Sequence, residues 1–166
     1  MANEAYLVKG SAFKVNGESD ANHACSVEGL ADGAGRVSIQ IDLGADPRPV
    51  EYSWSCEVQW QATPDQGGTL DIYIAGAPDD DSTQIDGDVG AVDAALGDVD
   101  MRRNLKYIGS VVSENATASE KCVASGVFTH TEQFISFIFY NDGGAAVNAT
   151  DSNFRMNVQS QYWQGQ

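Results

Sequence analysis

The sequence of 166 residues predicts an all-β protein, an antiparallel β-sandwich of eight to ten strands with one long acidic loop. Residues 50–60 alternate between apolar or aromatic and polar side chains, which is the period of two that a strand shows. Turn sequences rich in Gly, Asn, Asp and Pro recur at roughly 8–15-residue spacing, and no long amphipathic helix is predicted. The jelly roll is the topology expected at this strand number, and residues 1–166 are predicted to form a single domain because neither a repeat nor a linker divides them.

The first half of the chain supplies four of the predicted strand regions. Residues 6–15 contain two short strand-like segments, and residues 36–43 alternate clearly. The strand at residues 50–60 is the longest, and its apolar register indicates a buried face. A six-residue turn leads to an alternating strand at residues 69–75, so we expect these two strands to pair as an antiparallel hairpin. The apolar register of the long strand comprises Val50, Tyr52, Trp54, Cys56, Val58 and Trp60.

The second half adds predicted strands at residues 104–113, 121–130, 133–141 and 154–163. The strand at residues 133–141 is apolar on both registers, so we expect it to be covered on both faces, by sheet, by loop or by another subunit. A strand of this kind is a natural place for a partner to bind. The candidate interface residues are Phe134, Ile135, Phe137 and Phe139, together with Trp163 as an exposed aromatic residue of the last strand.

An acidic insertion at residues 77–101 lies between the two sets of strands. It holds eight Asp and no Lys or Arg, and it is predicted to be mostly loop. Loops longer than about 12–15 residues in a compact domain are usually functional or mobile. Calcium binding needs several oxygen ligands at one point, and the aspartate spacing does not match an EF-hand. We therefore expect a solvated acidic loop without a metal, and the weak calcium candidates are Asp79, Asp81, Asp86 and Asp88.

The charge and the cysteine content restrict the partners and the compartment. A net charge of −15 with nine basic residues argues against nucleic-acid binding, which needs clustered cations. No apolar run approaches the roughly 20 residues that span a bilayer, and the N-terminal residues do not resemble a signal peptide, so we expect no membrane contact and synthesis in a cytoplasm. Cys25, Cys56 and Cys122 are odd in number and far apart, which favours buried free thiols over disulfides.

The sequence shows no catalytic pattern. His23 and His130 are far apart, and no G-x-S-x-G elbow marks a nucleophile. Glu51 and Glu57 share one face of a strand, but six residues at about 3.3 Å each place them roughly 20 Å apart, too far for the acid and base of a glycosidase. We expect no enzyme activity and no cofactor.

Short motifs at turns and strand starts follow one another along the chain from about residue 8 to residue 163. They are G-A-G-R-V-S at residues 33–38, D-L-G at residues 42–44 with Arg48 and Tyr52, T-P at residues 63–64 with Gly68, D-I-Y-I at residues 71–74, the Asp- and Gly-rich residues 86–94, N-L at residues 104–105 with Gly109, and F-Y-N-D at residues 139–142 with Ala145 and Ala146. Together they resemble a family of small structural proteins encoded in the virion gene clusters of tailed bacteriophages.

The resemblance implies a non-enzymatic capsid decoration (cement) protein that binds the outer surface of the major capsid protein and stabilises the head. It implies a place in the virion after synthesis in the host cytoplasm, and no catalytic residues carry over from it. Capsid symmetry favours a homo-oligomer, with a trimer as the expected form. Two alternatives remain open. One is a carbohydrate-binding β-sandwich module or a tail- or fibre-associated receptor-binding protein, and the other is a glycan-active enzyme.

Overall fold

Ten strands account for most of the described chain. The structure is a computed structural model that describes residues 5–16, 25–45, 49–80, 84–114 and 120–165. No helix within these residues has the length and apolar character needed to cross a membrane. The strands are β1 (Ala5–Val15), β2 (Ala34–Val37), β3 (Ile41–Asp42), β4 (Glu51–Gln59), β5 (Thr69–Ala77), β6 (Ala94–Ala95), β7 (Lys106–Val112), β8 (Lys121–Thr129), β9 (Phe134–Asp142) and β10 (Phe154–Gly165). Short 3-10 turns occur at Asp86–Asp88, Val99–Asn104 and Asp151–Asn153.

The strands form two antiparallel sheets. The first sheet has the order β1-β10-β4-β8, and the second has the order β6-β2-β9-β5-β7, with β3 also paired to β9. The chain changes sheet at the connections β1–β2, β3–β4, β4–β5, β7–β8, β8–β9 and β9–β10. This alternation between two four-stranded halves, with short additional strands, is the jelly-roll arrangement, so the predicted antiparallel β-sandwich is confirmed.

The predicted hairpin between residues 50–60 and 69–75 is wrong. β4 pairs with β10 and β8 in the first sheet, whereas β5 pairs with β7 and β9 in the second. Strands within a sheet lie about 4.8 Å apart and packed sheets about 10 Å apart, and a six-residue turn is long enough for either distance. Alternation and turn length therefore could not distinguish pairing within a sheet from crossing between sheets.

The predicted alternation along β4 is confirmed. The polar residues between the apolar positions point away from the core and are partly exposed for most of the strand. Val50 precedes the strand and is exposed, although it continues the apolar register. Trp60, just after the strand, is buried. The buried register within the strand is Tyr52, Trp54, Cys56 and Val58.

Aromatic side chains from both sheets meet in the core. Tyr52 of β4 stacks on Phe128 of β8 with ring centroids 5.2 Å apart. Phe139 of β9 meets Phe154 of β10 edge to face at 4.9 Å, which joins the second sheet to the first. Aromatic pairs in these geometries add about 0.5–1.5 kcal/mol beyond the area they bury. The core is therefore held by contacts between strands that are distant in the chain.

Asn141 is a fully buried polar side chain that joins three segments at one end of the sandwich. Its Oδ1 accepts a hydrogen bond from Trp60 Nε1 at 3.1 Å. Its Nδ2 donates to the carbonyl oxygens of Leu30 at 3.0 Å and Ala145 at 2.8 Å. The Oδ1 atom also accepts from the amide of Gly143 at 3.1 Å. Because a buried amide is stable only when its hydrogen bonds are made, these contacts fix the positions of the loops around it.

The three cysteines are free and buried, as predicted. Burial raises the pKa of Cys56, and burial together with the negative charge of Asp93 raises the pKa of Cys25. A thiol is a good nucleophile only as the thiolate, so these two side chains act as apolar core residues at neutral pH.

The indole of Trp54 lies against two glycines at the side of the sandwich where β7 and β8 meet. A Cβ atom on Gly126 would stand 2.8 Å from Trp54 Nε1, and a Cβ atom on Gly109 would stand 2.5 Å from Trp54 Cζ2. Both distances are shorter than a real carbon contact allows. The ring therefore occupies space that any other residue at these two positions would need.

Gly126→Ala is expected to lower the free energy of unfolding by about 1–3 kcal/mol, because the indole or β8 must shift to admit the methyl group. Urea unfolding followed by tryptophan fluorescence measures the change. Ser125→Ala, at the adjacent exposed position of the same strand, is the control and is expected to change stability by less than about 0.5 kcal/mol. Equal stability of the two variants would contradict this packing.

Candidate functional site

The strand predicted to bind a partner is buried within the chain. Ile135, Phe137 and Phe139 of β9 belong to the core between the sheets and are at most 1% exposed. The interface prediction is wrong for these three residues, because the first sheet already covers them. Phe134 is partly buried and packs against a second apolar cluster. The side chain of Trp163 lies outside the described residues, although its backbone pairs with β1.

The acidic insertion covers the outer face of the second sheet. Its residues Ile85 and Leu96 are buried in one cluster with Val37 of β2 and Ile138 of β9. Leu96 lies so close to β2 that a Cβ atom on Gly35 would stand 2.8 Å from its side chain. The sequence leaves three possible covers for the two faces of β9: sheet, loop or another subunit. The structure shows the first sheet on one face and the insertion loop on the other. The insertion is therefore packed through its apolar residues, and it is not solvated throughout as predicted.

Asp93 anchors the insertion to the sandwich. Its Oδ1 accepts a hydrogen bond from Arg36 Nε at 2.6 Å, and its Oδ2 accepts from the hydroxyl of Ser26 at 2.6 Å. The amide of Ser26 also donates to the carboxylate at 3.1 Å. Burial raises the pKa of Asp93, but the hydrogen bonds from Arg36 and Ser26 outweigh this effect and hold it below its ordinary value. The side chain is therefore a charged structural group.

The calcium candidates do not converge on a common point in the described chain. Asp86 Oδ2 accepts a hydrogen bond from the amide of Gly76 at 3.2 Å, and Asp79 Oδ2 accepts one from a nearby glutamine at 3.3 Å. Asp88 is exposed, and Asp81 lies outside the described residues. Within the residues that the structure describes, no three His, Cys, Asp or Glu side chains are grouped so that they could hold a metal ion.

His130 is the histidine within the described residues, and it contacts the backbone and a small cavity. His130 is buried, and its Nε2 lies 3.0 Å from the carbonyl oxygen of Phe134. A small cavity of about 190 Å³ beside it also contacts Lys106, whose Nζ donates to the hydroxyl of Thr129 at 3.1 Å. His23 lies outside the described residues. The bond to Phe134 supports the turn between β8 and β9 and indicates a structural role for His130.

An open groove of about 590 Å³ lies beside the first sheet, next to an irregularity in the pairing of β1. Tyr162 is 41% exposed there and offers an aromatic surface. The hydroxyl of Tyr52 donates to the carbonyl oxygen of Pro49 at 2.8 Å, and Asp42 Oδ1 accepts from the amide of Gly44 at 2.8 Å. The groove has the mixed lining of a small-ligand site, but these polar groups already hold the chain in place.

The outer side of the first sheet is exposed along its strands. We call it the open face and define it as the outward register of β1, β10, β4 and β8, centred on Ser53, Ser55 and Ser125. Val123 and Val127 of β8 are 66% and 58% exposed on this face. The sequence predicts the polar register of β4 as solvated surface, but it does not predict the open face. The pattern of a single strand does not show which side chains its neighbours place beside it.

Asp93→Asn is expected to lower the free energy of unfolding by about 1–3 kcal/mol near neutral pH, because the amide cannot replace a charged acceptor of several hydrogen bonds. The folded-state pKa of Asp93 lies below its unfolded value of about 3.9. Its stabilising effect is therefore present above that value and is lost as the pH falls through the folded-state pKa. Chemical unfolding between about pH 2 and 7 should show a flatter acid decline for the variant. Asp80→Asn, at an exposed position of the insertion, should leave the decline unchanged; an identical effect of both changes would argue against the anchor.

Comparisons with known proteins give distant structural likeness. No protein-family model matches the chain, and no curated protein matches it. Among solved structures, murine APRIL at pH 5.0 is 9% identical, with a TM-score of 0.38 and coverage of 76% of this chain and 98% of that chain. The C-terminal domain of EclA, a sugar-binding protein, is 12% identical, with a TM-score of 0.36 and coverage of 96% and 82%. Likeness at this level transfers no function to the chain.

Proposed function

We propose that this chain is a non-enzymatic structural protein of a tailed-bacteriophage virion. In this proposal it is a capsid decoration protein that binds the outer surface of the major capsid protein and stabilises the head. The observation that carries the proposal is the open face, an extended sheet surface with exposed Val123 and Val127. The resemblance of the turn and strand-start motifs supplies the class of assembly.

The polar chemistry of the described chain supports assembly in preference to catalysis. Asn141 and Asp93 use their polar atoms to hold loops and the insertion in place. His130 contacts a backbone carbonyl, and the thiols of Cys25 and Cys56 have raised pKa values. An active site needs a nucleophile or an acid–base pair positioned in a cleft. Asn141, Asp93, His130 and the two thiols instead make contacts within the fold.

The packing of the sandwich also suits a protein that binds through a rigid surface. Its two sheets share one core, and the insertion adds a second apolar cluster on the outside of the second sheet. A rigid surface loses little conformational entropy on binding, so more of the contact energy appears as affinity. A homo-oligomer, with a trimer as the expected form, would multiply the contacts of each copy with the shell.

Carbohydrate binding is the second candidate function, and the groove beside Tyr162 is the observation in its favour. An aromatic surface beside a carboxylate suits a sugar ring, and Tyr162 and Asp42 both line the groove. In this case the protein would be a receptor-binding part of a tail or fibre. A glycan array with Tyr162→Ala as the comparison variant distinguishes this function from capsid decoration, which predicts no glycan signal.

The purified protein is expected to cosediment with capsids assembled from the major capsid protein of the same virion gene cluster. It should also raise the melting temperature of these capsids, because a ligand that binds only the assembled state stabilises that state. Mass spectrometry of intact virions should find the chain at high copy number. An unrelated acidic protein of similar size is the control for trapping in the pellet. A chain that stays in the supernatant and is missing from virions would contradict the proposal.

A further inference from the structure

The open face differs in charge from the rest of the chain. Four of the nine basic residues lie on it with two of the 24 acidic residues, so its formal charge is positive in a chain whose net charge is −15. Lys121 Nζ lies 2.6 Å from Glu57 Oε1, which neutralises one of these acids. The basic residues are Lys9, Lys14, Lys121 and Arg155, and the acidic residues are Glu51 and Glu57.

The acidic residues of the insertion lie on the other side of the sandwich. The insertion has no Lys or Arg, and its apolar residues pack on the outer face of the second sheet. Asp98 and Asp100 are exposed on the solvent side of that cover. The two outer sides of the molecule therefore have opposite electrostatic character, and an acidic surface will attract the open face and repel the insertion.

The centre of the open face is suited to close contact. Ser53, Ser55 and Ser125 are small, and they lie beside one another on β4 and β8. Small side chains lose little rotamer entropy when they are covered. On the other side of β4, Ser53 pairs with Gln159 of β10, whose Nε2 donates to the carbonyl oxygen of Gly10 at 3.5 Å. Val123 and Val127 add exposed apolar area next to the serines. Low charge at the centre with charge nearer the margin is the usual arrangement of a protein interface.

We propose that the open face is the surface by which this protein binds an acidic outer surface of a capsid shell protein, with the insertion directed away from the shell. This inference rests on the proposed function and adds which side of the chain makes the contact and the charge of the surface that it meets. Like charge disfavours a second copy stacked with its own open face against this one.

Two pairs of substitutions with the same change in charge test the assignment. Val123→Glu with Val127→Glu introduces two carboxylates on the open face, and Val92→Glu with Val112→Glu introduces two elsewhere. Val123 and Val92 are 66% and 65% exposed, so neither is a core residue. Binding to capsids assembled from the major capsid protein is measured by cosedimentation. We expect at least a tenfold loss of affinity for the open-face variant, and less than about threefold for the control variant.

A second pair tests the electrostatic part of the inference. Lys14→Glu reverses a charge on the open face, and Arg103→Glu makes the same reversal beside the second sheet, where the Arg103 side chain is 78% exposed. Lys14→Glu should reduce both the affinity and its dependence on salt concentration, because an attractive charge pair is removed. Arg103→Glu should leave the salt dependence unchanged. Equal salt curves for the two variants would overturn the attraction to an acidic surface.

The outcomes separate this inference from the function on which it rests. If the unaltered protein does not bind capsids, both the proposed function and its partner assignment fail. If it binds and the open-face variant binds equally well, the function stands and the face assignment fails. Loss of binding in the control variant alone would place the contact on the second sheet. Melting curves must show that each variant is folded. Sedimentation velocity then measures the oligomeric state of each variant. A change of oligomeric state in the open-face variant alone would place a second copy on this face and overturn the shell assignment.

Discussion

The ion pair between Arg36 and Asp93 helps to hold the acidic insertion on the side of the sandwich that the insertion closes. It fixes the insertion beside β2, and the apolar residues of the insertion then cover Ile138 on the outer face of β9. Without that cover, a strand that already buries one face in the core would expose a second apolar face to water, at about 25 cal/mol for each Å² exposed. Among the described side chains of the first sheet, the outer register of β4 is polar, and Val123 and Val127 of β8 are exposed.

The sequence was sufficient for the class of fold and for the inward register of β4, because both depend on local periodicity. It was not sufficient for the partner of each strand. The alternation at residues 69–75 is the same whether the strand pairs with β4 or crosses to the other sheet. The double-sided apolar pattern of β9 correctly indicated two covers, but periodicity could not show that one of them was an acidic segment. Asp93 looked like one of many aspartates until folding placed it against Arg36, 57 residues away.

Charge has separate uses on the two sides of the molecule. In the insertion, Asp93 and Asp86 hold backbone and side-chain partners, whereas Asp98 and Asp100 face solvent. On the open face, Glu57 is matched by Lys121 and the centre is small and polar. A chain with this separation has a dipole across the sandwich, and a dipole orients a protein before contact as well as holding it afterwards. The net charge of the whole chain conceals this difference.

The pairing of β1 with β10 has a consequence for how the protein is made. Residues far apart in the sequence, such as Ala5 and Gly165, become neighbours in the first sheet. Contacts between distant residues are slow to form, because a long loop must close before they stabilise the fold. On a ribosome, β1 remains without this sheet partner until β10 has been synthesised. During that interval the strong negative charge opposes aggregation of the exposed strands, so the acidic composition protects the nascent chain as well as the finished protein.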